Sequence, residues 1–332
     1  MLRISTLWIT FLIVARISCF AQEIDAKMSA AMSPNYGWTV AEGASKDFFF
    51  ITYMPTKKRP GYHIERWSLE SMTSDLSADV PASIGRRKDF KLSGILPGMG
   101  DSFWLYYTYI DRNELVVGRL ALSPDLQFGV EEAPIKRLSC SGDKPNWSVA
   151  VLASSNGAVN AVFAYSWELS NGGYDAYLWA ADQDGAVLSD RAFRLPNWKS
   201  IRKRKSALDE QGNLYVRFSI DDDKDRGYPL KEITCTVTAS SGEVHVWEPP
   251  KPDNGSVYSE SDFAFLEIGG KVATVEPYQR ADDVRMETGL DYRGILLRIF
   301  NSNDASLQVE RSFPIAVPVD EDKYWHKDPA EL

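Results

Sequence analysis

The sequence predicts an all-β chain of five four-stranded antiparallel blades, the architecture of a five-bladed β-propeller. Three observations carry that reading. A short strand of alternating apolar residues recurs with starts at Lys46, Asp101, Gly157, Gly212 and Gly270, which lie 55, 56, 55 and 58 residues apart. Each copy is flanked by the same run of turn signals and further strands, so the repeating object is a whole supersecondary unit. Apolar spacing of helical period is found in no window of about 12 residues.

Taken in order, the first 21 residues precede the repeat and read as a secretory signal peptide: Arg3 is the basic start, Leu7 to Ala15 the apolar stretch, and Cys19-Phe20-Ala21 a small-x-small cleavage site. Arg16 limits the apolar run to roughly ten residues, short of the about 20 that cross a bilayer, so the mature chain is expected to hold no integral membrane segment. Lipid attachment at Cys19 is the rival reading, although Arg16 stands where a lipobox carries Leu. The mature chain, 22–332, is then a single domain with blades at approximately 37–84, 85–138, 139–195, 196–250 and 251–315.

The third blade is the clearest. It reads as strand Trp147–Ala153, turn Ser154-Ser155-Asn156-Gly157, strand Ala158–Trp167, strand Tyr174–Ala181, turn Asp182-Gln183-Asp184-Gly185 and strand Ala186–Leu195. Equivalent third strands fall at His63–Leu69, Leu115–Leu122, Leu230–Val237 and Ile295–Phe300, with fourth strands at Gly242–Trp247 and Leu307–Phe313. Two stacked sandwiches would use similar strands and turns but give no reason for a register near 55 residues. Residues 22–36 or the tail after Phe313 are the candidates to close the ring.

The third repeat's alternation of strand, Ser-Asn-Gly turn, strand, loop, strand, Gln-Asp-Gly turn and strand resembles propellers of the sialidase and arabinanase type. That resemblance implies a ligand at the mouth of a central channel and, in the five-bladed glycosidases, carboxylates on the innermost strands there. The sialidase Asp-box and arginine triad are missing, and the first repeat opens with Asn35 and Tyr36.

Composition narrows the partners. With 37 Lys+Arg against 46 Asp+Glu the net charge is -9, the opposite of the basic footprint a nucleic-acid partner requires. Fifteen Tyr, 15 Phe and 10 Trp can fill sheet cores and still offer rings to a ligand. Signal cleavage leaves only Cys140 and Cys235, read as two free buried thiols with one bridge as the alternative. The three histidines, His63, His245 and His326, leave little for a zinc site or a Ser-His-Asp triad, and no metal or cofactor is assigned. Asp221-Asp222-Asp223-Lys224-Asp225 offers hard oxygens but without EF-hand spacing.

Candidate binding residues come from the loops that lead into the blades. Pro34-Asn35-Tyr36, Pro145-Asn146-Trp147 and Pro196-Asn197-Trp198 repeat one tripeptide, an amide beside a ring, which suits a sugar or another polar planar ligand. The bland alternative is turn chemistry with an aromatic cap on the core. Positive charge collects on the same face, around the expected channel mouth: at Lys57-Lys58-Arg59 in the loop between the second and third strands of the first blade, and before the later blades at Arg86-Arg87-Lys88, at Lys136, Arg137 and Lys144, and at Lys199 with Arg202-Lys203-Arg204-Lys205. Solvated loop cations are the alternative to a field focused on an anionic partner. The ligand-binding set is therefore Asn35, Tyr36, Asn146, Trp147, Asn197, Trp198, Arg86, Arg87, Arg202 and Arg204, in a secreted or periplasmic protein that takes a carbohydrate or anionic ligand. Rival readings are a glycoside hydrolase using Asp89, Glu260 or Asp262, which leaves catalysis open, and an interaction platform for an envelope protein. Asn146 and Asn254 head glycosylation sequons.

Overall fold

The computed structural model describes residues 39–42, 45, 47–56, 61–131, 133–140, 146–170, 172–198, 201–220, 231–248, 256–258, 264–268, 270–280 and 292–314. They form five antiparallel sheets in chain order, the all-β, five-bladed class that the repeat predicts. The chain divides into two compact units, Met1–Pro145 and Asn146–Leu332.

The first unit holds two blades. Blade 1 is β1 (Thr39–Glu42), β2 (Phe48–Tyr53), β3 (His63–Ser68) and β4 (Ser74–Asp79) in simple meander order. A one-turn helix that the sequence did not announce, α1 (Ala82–Gly85), leads to β5 (Lys91–Pro97), β6 (Phe103–Asp111) and β7 (Glu114–Leu122) of blade 2. The free edge of β7 is shared by β8 (Phe128–Glu131) and β9 (Lys136–Ser139). Pro134, which has no N–H to donate to a ladder, sits between those two short strands. Phe50 and Ile64 of blade 1 pack with Leu105, Tyr107 and Val116 of blade 2 in one buried cluster.

Three blades make the second unit. Blade 3 is β10 (Trp147–Ala153), β11 (Val159–Ser170), β12 (Gly173–Asp182) and β13 (Val187–Leu195), within three residues of the strand limits read from the sequence. Blade 4 is β14 (Ile201–Leu208), β15 (Leu214–Ile220), β16 (Lys231–Val237) and β17 (Val244–Trp247). In blade 5 the first position is split between β18 (Ser256–Tyr258) and β19 (Ala264–Ile268), both paired with β20 (Lys271–Arg280), and β21 (Tyr292–Asn301) and β22 (Leu307–Pro314) follow. Every described sheet takes its strands from one continuous stretch of chain. Residues 22–36 and 315–332, expected to supply a closing strand, lie outside the described residues.

The 55-residue register has a local cause. Gly157 and Gly212 occupy equivalent first hairpins of blades 3 and 4 with φ of +73° and +81°, a region that residues with a Cβ avoid. Beyond the turns, apolar residues on one face of β11, Val159, Ala161, Phe163 and Tyr165, pack on Val216, Phe218, Ile233 and Cys235 of blade 4. Burying a side chain of the Phe or Val size contributes about 1.5–3 kcal/mol, so a sheet covered on both faces reads as a nearly unbroken apolar run. Both thiols are free, as the sequence predicts, but only Cys235 is buried in that core; Cys140, in the first unit, is half-buried where burial was expected.

Blades 4 and 5 meet differently. Glu276 of β20 accepts from Arg298 Nη1 at 3.2 Å and from the Thr234 hydroxyl at 3.2 Å, and stands 3.7 Å from Arg217. Arg298 also donates to Glu310 at 2.8 Å. Both arginines and Glu276 are buried, so the pairing offsets a desolvation cost that an isolated charge could not bear.

Candidate functional site

Within the second unit, an isolated parallel bridge joins Ser154 to Leu208, the residues that follow and close β10 and β14. The first strands of blades 3 and 4 therefore run side by side in the same direction. Their starting residues, Trp147 and Ile201, lie at one common end, which is where the sequence analysis places Asn146, Trp147, Asn197, Trp198 and Arg202.

That end is built by two bulges. On β11 the register with β12 shifts between Tyr165 and Leu169, leaving Ser166, Trp167 and Glu168 out of the regular ladder. Ser166 Oγ accepts from the Glu168 N–H at 3.1 Å and fixes the irregularity, while the Trp167 N–H donates to the Asn146 carbonyl at 2.7 Å. A bulge re-aims side chains, and here the Trp167 indole is turned outward and is 61% exposed. Trp147, the cross-strand partner of Ser166, is half-buried beside it.

The second bulge, on β14, falls between Lys203 and Lys205. Arg202 and Lys205 are exposed and Lys203 is half-buried. The Lys203 N–H donates to the Tyr165 hydroxyl at 3.2 Å, which ties the start of blade 4 to β11 two residues short of Trp167. Lys203 Nζ donates to Ser206 Oγ at 3.4 Å. Its burial holds the ammonium below the ordinary lysine pKa, because the charged form has lost water. Arg204 is the extra residue of this bulge, and its side chain lies outside the described residues.

The remaining sequence candidates divide clearly. Trp198 caps the core: its ring lies 6.0 Å from Phe218 and its carbonyl accepts the Tyr174 hydroxyl at 2.8 Å, while Asn197 is exposed. In the first unit, Arg86 is exposed just after α1. Arg87 is held by Glu131 through two hydrogen bonds of 2.6 and 2.7 Å, with its guanidinium 4.4 Å from the Tyr109 ring centroid. That pairing holds the Glu131 carboxyl below its usual range. Arg137 is likewise engaged, by Asp111 at 2.9 Å and Glu114 at 3.1 Å. Asn35, Tyr36, Lys57, Lys58, Arg59, Lys144, Lys199, Asp221 to Asp225, Asn254, Glu260 and Asp262 lie outside the described residues. Asp89 is exposed in the first unit with φ of +53°.

Sequence reasoning missed Trp167, because a tryptophan closing an apolar strand looks like core until the bulge is seen. It also missed the carboxylates at the opposite end of the second unit. There Asn156 Nδ2 donates to Glu210 at 2.6 Å, and the Glu210 N–H donates to Glu267 at 3.0 and 3.2 Å. Burial, with Asp209 and Glu210 close by, pushes the Glu267 carboxyl up to about 7. Asp209 is buried and accepts from the Gln211 and Asn213 N–H groups, Asn213 Nδ2 and the Tyr215 hydroxyl. Those four bonds assign it to holding the hairpin. Among the described residues, no three His, Cys, Asp or Glu side chains are grouped to hold a metal ion.

No family model matches the chain, and no curated protein matches it. Among solved structures it is similar to a polysaccharide lyase of family PL25, an ulvan lyase, at 11% identity and a TM-score of 0.44 over 83% of this chain and 71% of that one. It is also similar to an endo-arabinase from Bacteroides thetaiotaomicron, at 8% identity and a TM-score of 0.39 over 84% and 93% of the two chains. Prolyl oligopeptidase B from Galerina marginata matches at 12% identity and a TM-score of 0.42 over 83% of this chain, which spans 35% of that protein's length. The strand order and register of the chain itself define the fold.

Proposed function

We propose that this is an exported binding protein that takes an acidic carbohydrate across the common starting end of blades 3 and 4. The observation that carries the reading is Trp167, an indole that β11 turns 61% into solvent by means of a bulge, beside Asn146 and Trp147. A flat exposed ring stacks on the apolar face of a sugar. Arg202 and Lys205, exposed on the adjoining strand, give the same end positive charge in a chain of net charge -9. An anionic glycan is favoured by that local field and a nucleic acid is disfavoured by the rest of the surface. Export, to the periplasm or the exterior, follows from the leader at residues 1–21 and belongs to the same proposal.

The test is a glycan array probed with the purified chain at low and moderate salt, beside Trp167→Ala and Arg202→Ala. Binding confined to acidic glycans, weakened by salt, lost in Trp167→Ala and reduced in Arg202→Ala is the expected pattern. Equal binding by wild type and Trp167→Ala, or a blank array, contradicts it.

A further inference from the structure

Where β11 of blade 3 meets the start of blade 4, two hydrogen-bond donors lack a well-placed acceptor among the described residues. Tyr165 is 4% exposed, and its hydroxyl oxygen already accepts the Lys203 N–H at 3.2 Å. The hydroxyl's own hydrogen is given to no acceptor among the described residues. Lys203 Nζ has a single long bond, 3.4 Å to Ser206 Oγ, and no carboxylate pairs with it among the described residues. Lys203 and Phe218 are directly opposed across β14 and β15, so the lysine shares the face on which Phe218 meets the Tyr165 ring, 5.6 Å between centroids. Tyr165, from blade 3, thus packs on the face of the blade 4 sheet that carries Lys203, the tyrosine buried and the lysine half-buried. Buried donors are normally satisfied, and a half-buried ammonium is normally paired.

We infer that Tyr165 and Lys203 together bind one singly charged oxyanion carried by a sugar, either a uronate carboxylate or a sulfate ester. The phenol donates one hydrogen bond and the ammonium a charge-assisted one, to two oxygens of the same group. Ser206 Oγ accepts one hydrogen bond from the ammonium and leaves its other hydrogens for the anion. The inference rests on the proposed glycan-binding role for the biological identity of the ligand, and it adds which chemical group is read and by which residues.

The experiment uses the whole chain with its lysines reductively dimethylated with carbon-13, a change that keeps the charge, and Lys203→Met to assign the Lys203 signal. Sodium glucuronate, sodium methyl sulfate and neutral glucose are titrated separately. The expected result is a saturable shift of the Lys203 signal with one or both anions and none with glucose, and a rise in the lysine's apparent pKa on saturation. Glucuronate alone identifies a carboxylate reader, and methyl sulfate alone a sulfate reader. Tyr165→Phe should weaken the active anion by about fivefold, the equivalent of one ordinary hydrogen bond. A Lys203 signal that neither anion moves, or that glucose moves equally, overturns the inference. The two proposals fail separately: loss of array binding in Trp167→Ala with an unresponsive Lys203 removes only the anion site. An anion-responsive Lys203 beside array binding that Trp167→Ala leaves intact removes only the ring platform.

Discussion

Replacing Glu267 by glutamine should stabilise the protein in alkaline solution and leave it nearly unchanged in acid. Glu267 lies on β19 with its carboxylate accepting the Glu210 N–H at 3.0 and 3.2 Å. Burial first, and then the neighbouring Asp209 and Glu210 charges, push its pKa from 4.5 up to about 7. In the unfolded chain the same group titrates near its ordinary value. Between pH 4.5 and about 7 the folded state therefore binds more protons than the unfolded state, and stability falls as pH rises through that window. At 1.36 kcal/mol per pH unit the span from 4.5 to about 7 sets a ceiling of roughly 3.4 kcal/mol. Glu267 is partly exposed, so solvent screening reduces this to about 1–2 kcal/mol. Glutamine keeps an oxygen for the Glu210 N–H and cannot ionise. Urea unfolding of both proteins at pH 5 and pH 8 should give midpoints that coincide within about 0.5 kcal/mol at pH 5, and a variant more stable by about 1–2 kcal/mol at pH 8. A variant equally or less stable at pH 8 refutes the assignment of a strained carboxylate to this hairpin.

Three further outcomes follow from packing. Glu276→Ala strips the shared partner from Arg217 and Arg298, two buried cations, and should cost about 3–5 kcal/mol, read as a large drop in thermal midpoint. Gly118→Ala places a methyl 2.6 Å from Tyr107 Cζ, an overlap that should cost about 1–3 kcal/mol and lower the urea midpoint. A thiol reagent should leave Cys235 unmodified in the native protein and reach it only on unfolding, since the residue is fully buried and burial pushes its thiol pKa up, while half-buried Cys140 reacts first.

What the sequence discloses is what short-range chemistry decides. Glycine in the hairpins and alternating apolar residues between them locate the blades, because a positive φ at Gly157 or Gly212 and a two-residue side-chain period are properties of a few neighbouring residues. Helix α1 is a single turn and carries no periodic signal long enough to be read. The split edges of blades 2 and 5 depend on how far each flanking segment stays in reach of β7 and β20, which no local pattern encodes. The candidate site divides in the same way. Asn146 and Trp147 are visible as a repeated tripeptide, but Arg87 looks like a free loop cation until Glu131, 44 residues away, is brought to it by pairing of β7 with β8. Trp198, from the same tripeptide, is taken up by Phe218. Trp167 and Lys203 owe their placement to bulges that shift strand register, and register is fixed by the whole sheet.

Hydrogen exchange of the purified chain with and without an oligouronate tests the central claim most directly, because it reports where binding protects the backbone without assuming which residues take part. Protection is predicted in residues 146–148, 166–168 and 201–205, at the common starting end of blades 3 and 4. Protection confined to the opposite hairpins, 154–158 and 209–213, or absent from both regions while the glycan is bound, would contradict the account.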